Sequence, residues 1–239
     1  MKKDVAPLSV FAAAFRYSVP VLLGYLAIGV AFGLLLTDAG YPWWLAPLMG
    51  ILMYAGAGQY IAVGLFAAGT SLWEAVLIQL VVNARHMAYG ITMVKRFNRA
   101  GPFRYYLIYA LTDETFALLS SLPEEPAGDG GPAERSRLMF YVALLDQGYW
   151  VGGSLIGALA GALIPFDLEG IAFSLTALFV VLMIEQLFRV RQPGIFIVSA
   201  LTSVLAVFLL PAGISLLSAM ILSLGAVQLF EGGRKEGRR

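Results

Sequence analysis

The chain has 239 residues, of which 59% are hydrophobic and only 13% charged, and its mean hydropathy of +0.80 lies well outside the range of ordinary soluble domains. A net charge of +1 gives no electrostatic footprint for nucleic acid, and the absence of cysteine excludes a disulfide framework and a thiol nucleophile. The composition predicts an all-α fold, a polytopic membrane helix bundle of six to eight membrane segments.

Windows of about 20 apolar residues place candidate segments at Arg16–Thr37, Trp43–Ala68, Trp73–Val94, Phe103–Ser121, Leu138–Ile164, Ile171–Phe188, Gly194–Leu210 and Gly213–Phe230. No small-residue cleavage site follows the first apolar stretch, Val19 to about Leu36, so the first span is expected to stay in the membrane. Charges gather between the spans: Lys2, Lys3 and Arg16; Lys95 to Arg104; Pro123 to Arg137; and Arg234 to Arg239. The stretch Leu122 to Arg137, with its Pro, Gly and acidic residues, cannot bury a core and reads as an exposed loop. The chain divides there into an N-terminal membrane half (1–122), an exposed acidic loop (123–137) and a C-terminal membrane half (138–239).

Gly24, Gly29 and Gly33 recur at the spacing of Gly152, Gly157 and Gly161, which implies a repeat of about 128 residues, although a Gly-rich membrane chain offers such coincidences freely. Gln59 and Gln186, each near the end of the following segment, add to the resemblance. Eight simple crossings with a cytoplasmic N-terminus would put Lys95, Arg96, Arg99 and Arg104 outside, against the positive-inside rule. Two re-entrant segments resolve the conflict, one broken at Ala55 to Gln59 and its counterpart before Glu185 and Gln186. Every basic cluster but Arg135 and Arg137 then falls inside, the acidic loop lies outside, and the two halves are inverted relative to one another. Eight ordinary spans are the alternative.

Polar residues inside apolar spans are costly and mark a site by default. Arg85 and His86, the chain's single histidine, stand in the middle of the third segment. Arg85 suits a bidentate carboxylate clamp or a permanent counter-ion for Asp113. His86 suits a proton relay or a neutral hydrogen-bonding role. Asn83, His86 and Gly90 share one helical face, and Tyr89 follows Arg85 by four residues. Asp113 and Glu114 are adjacent in the fourth segment, where both cannot comfortably ionise, so one is expected to hold a proton unless a cation lies beside it. Asp146 interrupts the fifth segment, next to Gln147, Tyr149 and Trp150, and reads as functional or as part of an interfacial belt. Glu185 reads as an ion pair with Arg189 or Arg191. At Gly56, Gly58 and Gln59 a broken helix would leave backbone groups that only protein or a water-filled cavity can satisfy, and half-helix N-termini attract carboxylates.

Three strings together, Gly-Ala-Gly-Gln-Tyr at Gly56 to Tyr60, Asn-Ala-Arg-His-Met-Ala-Tyr-Gly at Asn83 to Gly90 and Leu-Thr-Asp-Glu-Thr-Phe at Leu111 to Phe116, resemble the AzlC-type proteins. These are the large subunit of branched-chain amino acid exporters of the azaleucine-resistance class. The resemblance implies efflux of leucine, isoleucine, valine and methionine across a bacterial inner membrane, by a multi-pass protein with a small AzlD-like membrane subunit. It extends over nearly the whole chain in length and span order, with no comparable motif in the C-terminal half.

A zwitterionic substrate needs a cationic or backbone-donor site, an acidic or carbonyl site, and apolar surroundings. Arg85 or the break at Gly58 is expected to receive the carboxylate and Asp113 or Glu114 the ammonium. Gly56, Gly58, Gln59, Asn83, Arg85, Tyr89 and Asp113 thus form the expected substrate site; His86, Asp113, Glu114 and Asp146 are the candidates for coupling to inward proton movement. One histidine and no cysteine support neither a zinc site nor a cysteine nucleophile, so no enzyme, metal or cofactor is expected, and the lack of a Walker A string disfavours a primary pump. A passive channel or a non-transporting scaffold subunit is the alternative.

Overall fold

A computed structural model describes residues 7–122, 131–163 and 193–210, with isolated short runs between 180 and 188 and between 218 and 228. The described residues form helices and no strand. The chain divides into two compact units, Met1–Ala67 with Val82–Ile171, and Ala68–Val81 with Ala172–Arg239. The sixth expected segment and the break expected before Glu185 and Gln186 lie largely outside the described residues.

In the first unit α1 (Pro7–Asp38) and α7 (Pro132–Leu163) have 32 residues each. At 1.5 Å per residue each is about 48 Å long, more than a hydrocarbon core requires. α7 begins at Pro132, where a helix tolerates the missing N–H, so the expected exposed loop gives way to helix for its last residues, up to Arg137. The stretch Val10–Asp38, with a mean hydropathy of 2.3 over an 18-residue window, is the one helix among the described residues long and apolar enough to cross a membrane by length and composition.

α1 and α7 form the most extensive helix pair, and they run parallel. Phe11 meets the ring of Tyr141 at 5.6 Å, and Ser18 lies 2.9 Å from the Tyr149 hydroxyl. Further along, Gly29 backs onto Ser154 and Gly161 onto Thr37. A Cβ on Gly33 would run into the backbone of Ser154 and Ala158, and one on Gly157 into the backbone of Val30. Small residues let the two backbones touch, the usual device where lipid supplies no hydrophobic drive. The expected glycine triplets are thus used only in part, since Gly24 and Gly152 face nothing within 4 Å and Gly153 takes a place in the contact. The parallel sense also corrects the expected inversion of the two halves, because the first long helix of each half points the same way.

The inversion appears at a shorter period. The second segment is two half-helices, α2 (Leu45–Leu52) and α3 (Gly56–Ala67). Six residues separate α1 from α2, whose Gly50 reaches the Trp150 ring, halfway along α7. The chain then turns back: the Tyr60 hydroxyl donates to the Ile28 carbonyl at 2.7 Å, and Phe66 lies 5.5 Å from Tyr41, beside the C-terminal end of α1. Phe103 to Ser121, expected as one continuous span, is likewise broken into α5 (Arg104–Tyr109) and α6 (Asp113–Ser121). α5 climbs α7 from Phe140, 4.8 Å from Phe103, to Gln147, which accepts from Tyr106 at 2.6 Å.

α6 then descends beside α4 (Leu72–Asn98). Arg85 faces Asp113, Tyr89 stacks on Phe116, and Arg96 donates to the Leu119 carbonyl at 2.6 Å. α6 therefore parallels α4 and opposes α5. A long helix followed by a hairpin of two short helices occurs twice in residues 7–122, in opposite senses. The starts of α2 and α5, residues 45 and 104, are 59 apart, and those of α3 and α6, residues 56 and 113, are 57 apart.

In the second unit α8 (Pro193–Leu209) carries Thr202 and Ser203, whose hydroxyls lie 2.9 and 3.0 Å from that of Ser223.

Candidate functional site

The two hairpin tips meet halfway along α7, and that meeting point gathers most of the polar residues buried in the first unit. Three residues, Met53 to Ala55, join α2 to α3, so the break lies just before Gly56 rather than within Ala55 to Gln59. Tyr54 holds the turn with φ of +38°, a left-handed conformation that costs a bulky side chain of order 1 kcal/mol and persists where packing fixes it. Its ring is buried and 6.4 Å from that of Tyr109 on the opposing tip.

The open C-terminal carbonyls of α2 need donors. Gln147 Nε2 donates to the Gly50 carbonyl at 3.2 Å, and the Tyr109 hydroxyl donates to the Ile51 carbonyl. At the start of α3, a Cβ on Gly56 would stand 3.2 Å from the Trp150 indole, so α3 lies flat against that ring. Trp150 Nε1 donates to Gln59 Oε1 at 2.9 Å; Gln59 is wholly buried, and its Nε2 has no hydrogen-bond partner. Gly58 is also buried in this turn.

The second tip is built on a helix start. Thr112 is extended, and its hydroxyl caps α6 by accepting from the Thr115 N–H at 3.3 Å, with Asp113 and Glu114 in the first turn, where a helix N-terminus favours anions. Arg85 Nη1 lies 2.7 Å from Asp113 Oδ2, and the Tyr89 hydroxyl donates to Asp113 Oδ1 at 2.5 Å. The i, i+4 spacing puts both α4 side chains on one carboxylate. Arg85 is 35% exposed and Asp113 21%, so the pair is not sealed within the first unit. Arg85 Nε is buried without a partner. His86 meets the Tyr89 ring edge-on at 6.0 Å, beside the ion pair, while Asn83 is half-buried one turn earlier on α4.

Glu114 faces α1, where the Tyr25 hydroxyl donates to its Oε2 at 2.6 Å and lies 2.6 Å from the Thr112 hydroxyl. On the α7 side the Thr115 hydroxyl donates to Asp146 Oδ2 at 2.9 Å. Asp146 is fully buried, and its Oδ1 has no partner. The structure thus brings together Gly56, Gln59, Arg85, Tyr89, Asp113, Glu114 and Asp146 around the two tips. Sequence reasoning missed Tyr25, Tyr54, Tyr106, Tyr109, Thr112 and Thr115. Thr112 was recoverable, since a Thr followed by two acidic residues is a helix-start signal even inside an apolar window.

No group of three or more metal-ligating side chains occurs among the described residues. The arrangement offers instead a partly exposed ion pair with one unpartnered guanidinium N–H, two half-helix N-termini, and carboxyls linked by hydroxyls. Residues 20–164 match the family model described as AzlC protein. The chain belongs to the AzlC family. It is 30% identical over 217 residues to the branched-chain amino acid transport protein AzlC of Bacillus subtilis, covering 91% of this chain and 84% of that one. It is 38% identical to an uncharacterized membrane protein of Helicobacter pylori over 93% of this chain and 96% of the other. The inner membrane protein YgaZ of Escherichia coli is 27% identical over 82% and 80%. No solved structure matches. The matched region contains α2 to α6, both breaks and Asp146.

Proposed function

We propose that the chain is a secondary transporter exporting branched-chain amino acids, leucine, isoleucine and valine with methionine, across a bacterial inner membrane, driven by inward proton movement and working with a small AzlD-like membrane subunit. The observation that carries this reading is the Arg85–Asp113 pair, 2.7 Å apart and partly exposed, at the N-terminus of the half-helix α6. A zwitterion can exchange for the pair: its carboxylate takes Arg85, whose Nε is unserved, and its ammonium takes Asp113, which keeps the Tyr89 hydrogen bond. One ion pair is replaced by two, and little charge is left uncompensated. The stacked rings of Tyr89 and Phe116, 4.5 Å apart, give an apolar wall for an aliphatic side chain.

The reading is supported by charge placement. Tyr17 to Ala84, which includes the turns at the C-terminal end of α1, contains no Lys or Arg, whereas Lys95, Arg96, Arg99, Arg104, Arg135 and Arg137 lie at the C-terminal end of α4, just after it, and in the first turns of α5 and α7. With α1, α4 and α7 as crossings and both hairpins re-entrant, the positive-inside rule puts that basic end in the cytoplasm, Arg135 and Arg137 included. The chain has no native cysteine, so single-cysteine labelling is clean. Arg99→Cys should label with an impermeant maleimide only after cells are opened, and Ala39→Cys in intact cells; the reverse pattern overturns the orientation.

Function is tested by loading cells with a leucine-containing dipeptide and following leucine release. Expression of the chain with its small partner should speed release of leucine, isoleucine and valine and leave lysine unchanged. Equal release with and without the pair would contradict the proposal.

A further inference from the structure

Glu114 and Asp146 sit on different helices, yet an unbroken line of hydroxyls joins them: Glu114 to Tyr25 at 2.6 Å, Tyr25 to Thr112 at 2.6 Å, Thr112 to Thr115 at 3.1 Å, and Thr115 to Asp146 at 2.9 Å. That line has four oxygen–oxygen contacts and only three hydroxyl hydrogens, one each from Tyr25, Thr112 and Thr115. With both carboxyls ionised, one contact lacks a hydrogen, and two anions stand in the interior while Arg85 serves Asp113. With both protonated, five hydrogens compete for four contacts. One added proton fills every contact once.

From this we infer that Glu114 and Asp146 are the two ends of a single hydrogen-bonded relay through Tyr25, Thr112 and Thr115, which holds one exchangeable proton and passes it between α6 and α7. The relay deepens the proton-coupled reading above and rests on it for its use, though not for its existence. With the proton on Glu114, each hydroxyl donates toward Asp146. Transfer moves the Glu114 hydrogen to the Tyr25 oxygen, that of Tyr25 to Thr112, that of Thr112 to Thr115, and that of Thr115 to Asp146. One negative charge moves from Asp146 to Glu114, and no atom is gained or lost. The chain of bonds polarises in one direction at a time, so reversal is concerted.

The carboxyls at the two ends differ in their surroundings. Arg85 and Asp113 act on Glu114 from α4 and α6, Tyr106 and Tyr149 lie near Asp146 from α5 and α7, and Tyr54 at the first tip lies near both. A substrate that opens the Arg85–Asp113 pair changes the field at the Glu114 end alone, and with it the side on which the proton rests. Thr112 and Thr115 also set the start of α6, so movement of the tip breaks the line. Tyr25, Thr112 and Thr115 are therefore positioning and relay residues rather than substrate contacts.

The test is pH-difference infrared spectroscopy of the purified protein in lipid, reading the carbonyl stretch of protonated carboxyls. One shared proton predicts that Glu114→Gln and Asp146→Asn each shift the band, and that the double variant loses it. In a Tyr25→Phe background, Glu114→Gln should no longer alter the Asp146 band. A band indifferent to Glu114→Gln with Tyr25 intact, or no titrating band, overturns the relay. In proteoliposomes, Tyr25→Phe and Thr115→Val should keep leucine counterflow within about twofold but lose pH-gradient-driven accumulation at least about tenfold, with Thr115→Ser restoring it. Accumulation unchanged in both variants overturns it. Should the wild-type protein move no leucine, the transport reading fails and the infrared comparison decides the relay by itself.

Discussion

Replacing Arg85 by alanine is expected to slow leucine movement at least about thirtyfold while leaving the protein foldable. Truncating one partner of a hydrogen-bonded charge pair costs about 2–5 kcal/mol where the pair is buried, and the low end of that range applies to a side chain that is 35% exposed. The decisive comparison is the double variant Arg85→Ala/Asp113→Ala. If the pair only fastens α4 to α6, removing both charges restores transport, because no uncompensated carboxylate remains. If the pair is the zwitterion site, the double variant recovers stability and stays inactive. Arg85→Lys should fall between, since an ammonium keeps the charge and loses the fork that also offers Nε. Normal export by both Asp113→Glu and Asp113→Asn would refute the role of Asp113.

Gly157→Leu is expected to prevent assembly of the first unit, and Gly157→Ala to destabilise it by about 3 kcal/mol, the upper part of the usual range for overpacking. A Cβ there would occupy the place of the Val30 backbone, which cannot move aside as a side-chain end could. Gly33→Ala should behave alike against Ser154 and Ala158. Gly24→Ala and Gly152→Ala are the controls, since each faces open space on the same two helices. Detergent thermal unfolding followed by fluorescence reads the difference. Equal stability of Gly157→Ala and Gly152→Ala would show that α1 and α7 do not pack along these glycines.

These two sites mark where the sequence was legible and where it was not. Arg85, Tyr89 and Asp113 stood out because charge in an apolar stretch is expensive and i, i+4 spacing is geometry. The break ahead of Gly56 was visible for the same reason, as a cluster of small residues in an otherwise continuous apolar run. The break at Ala110 to Thr112 was hidden by averaging: a 20-residue window around Leu111 remains apolar, and the capping role of Thr112 is a property of one residue. Missing that break adds a crossing, and a single miscounted crossing reverses the sense of everything after it. That is why α7 was expected antiparallel to α1. Tyr25 and Tyr109 were invisible for another reason. A tyrosine in a membrane helix scores as a ring, and only the fold shows what its hydroxyl meets.

The family relation and the ion pair converge on one claim, that the chain carries branched-chain amino acids at the Arg85–Asp113 site. Counterflow of labelled leucine in proteoliposomes containing the chain and the proposed AzlD-like partner tests it most directly. Saturable exchange is expected, competed by isoleucine and valine but not by lysine, and lost in Arg85→Ala. No exchange with the partner present, or full exchange in Arg85→Ala, would contradict it.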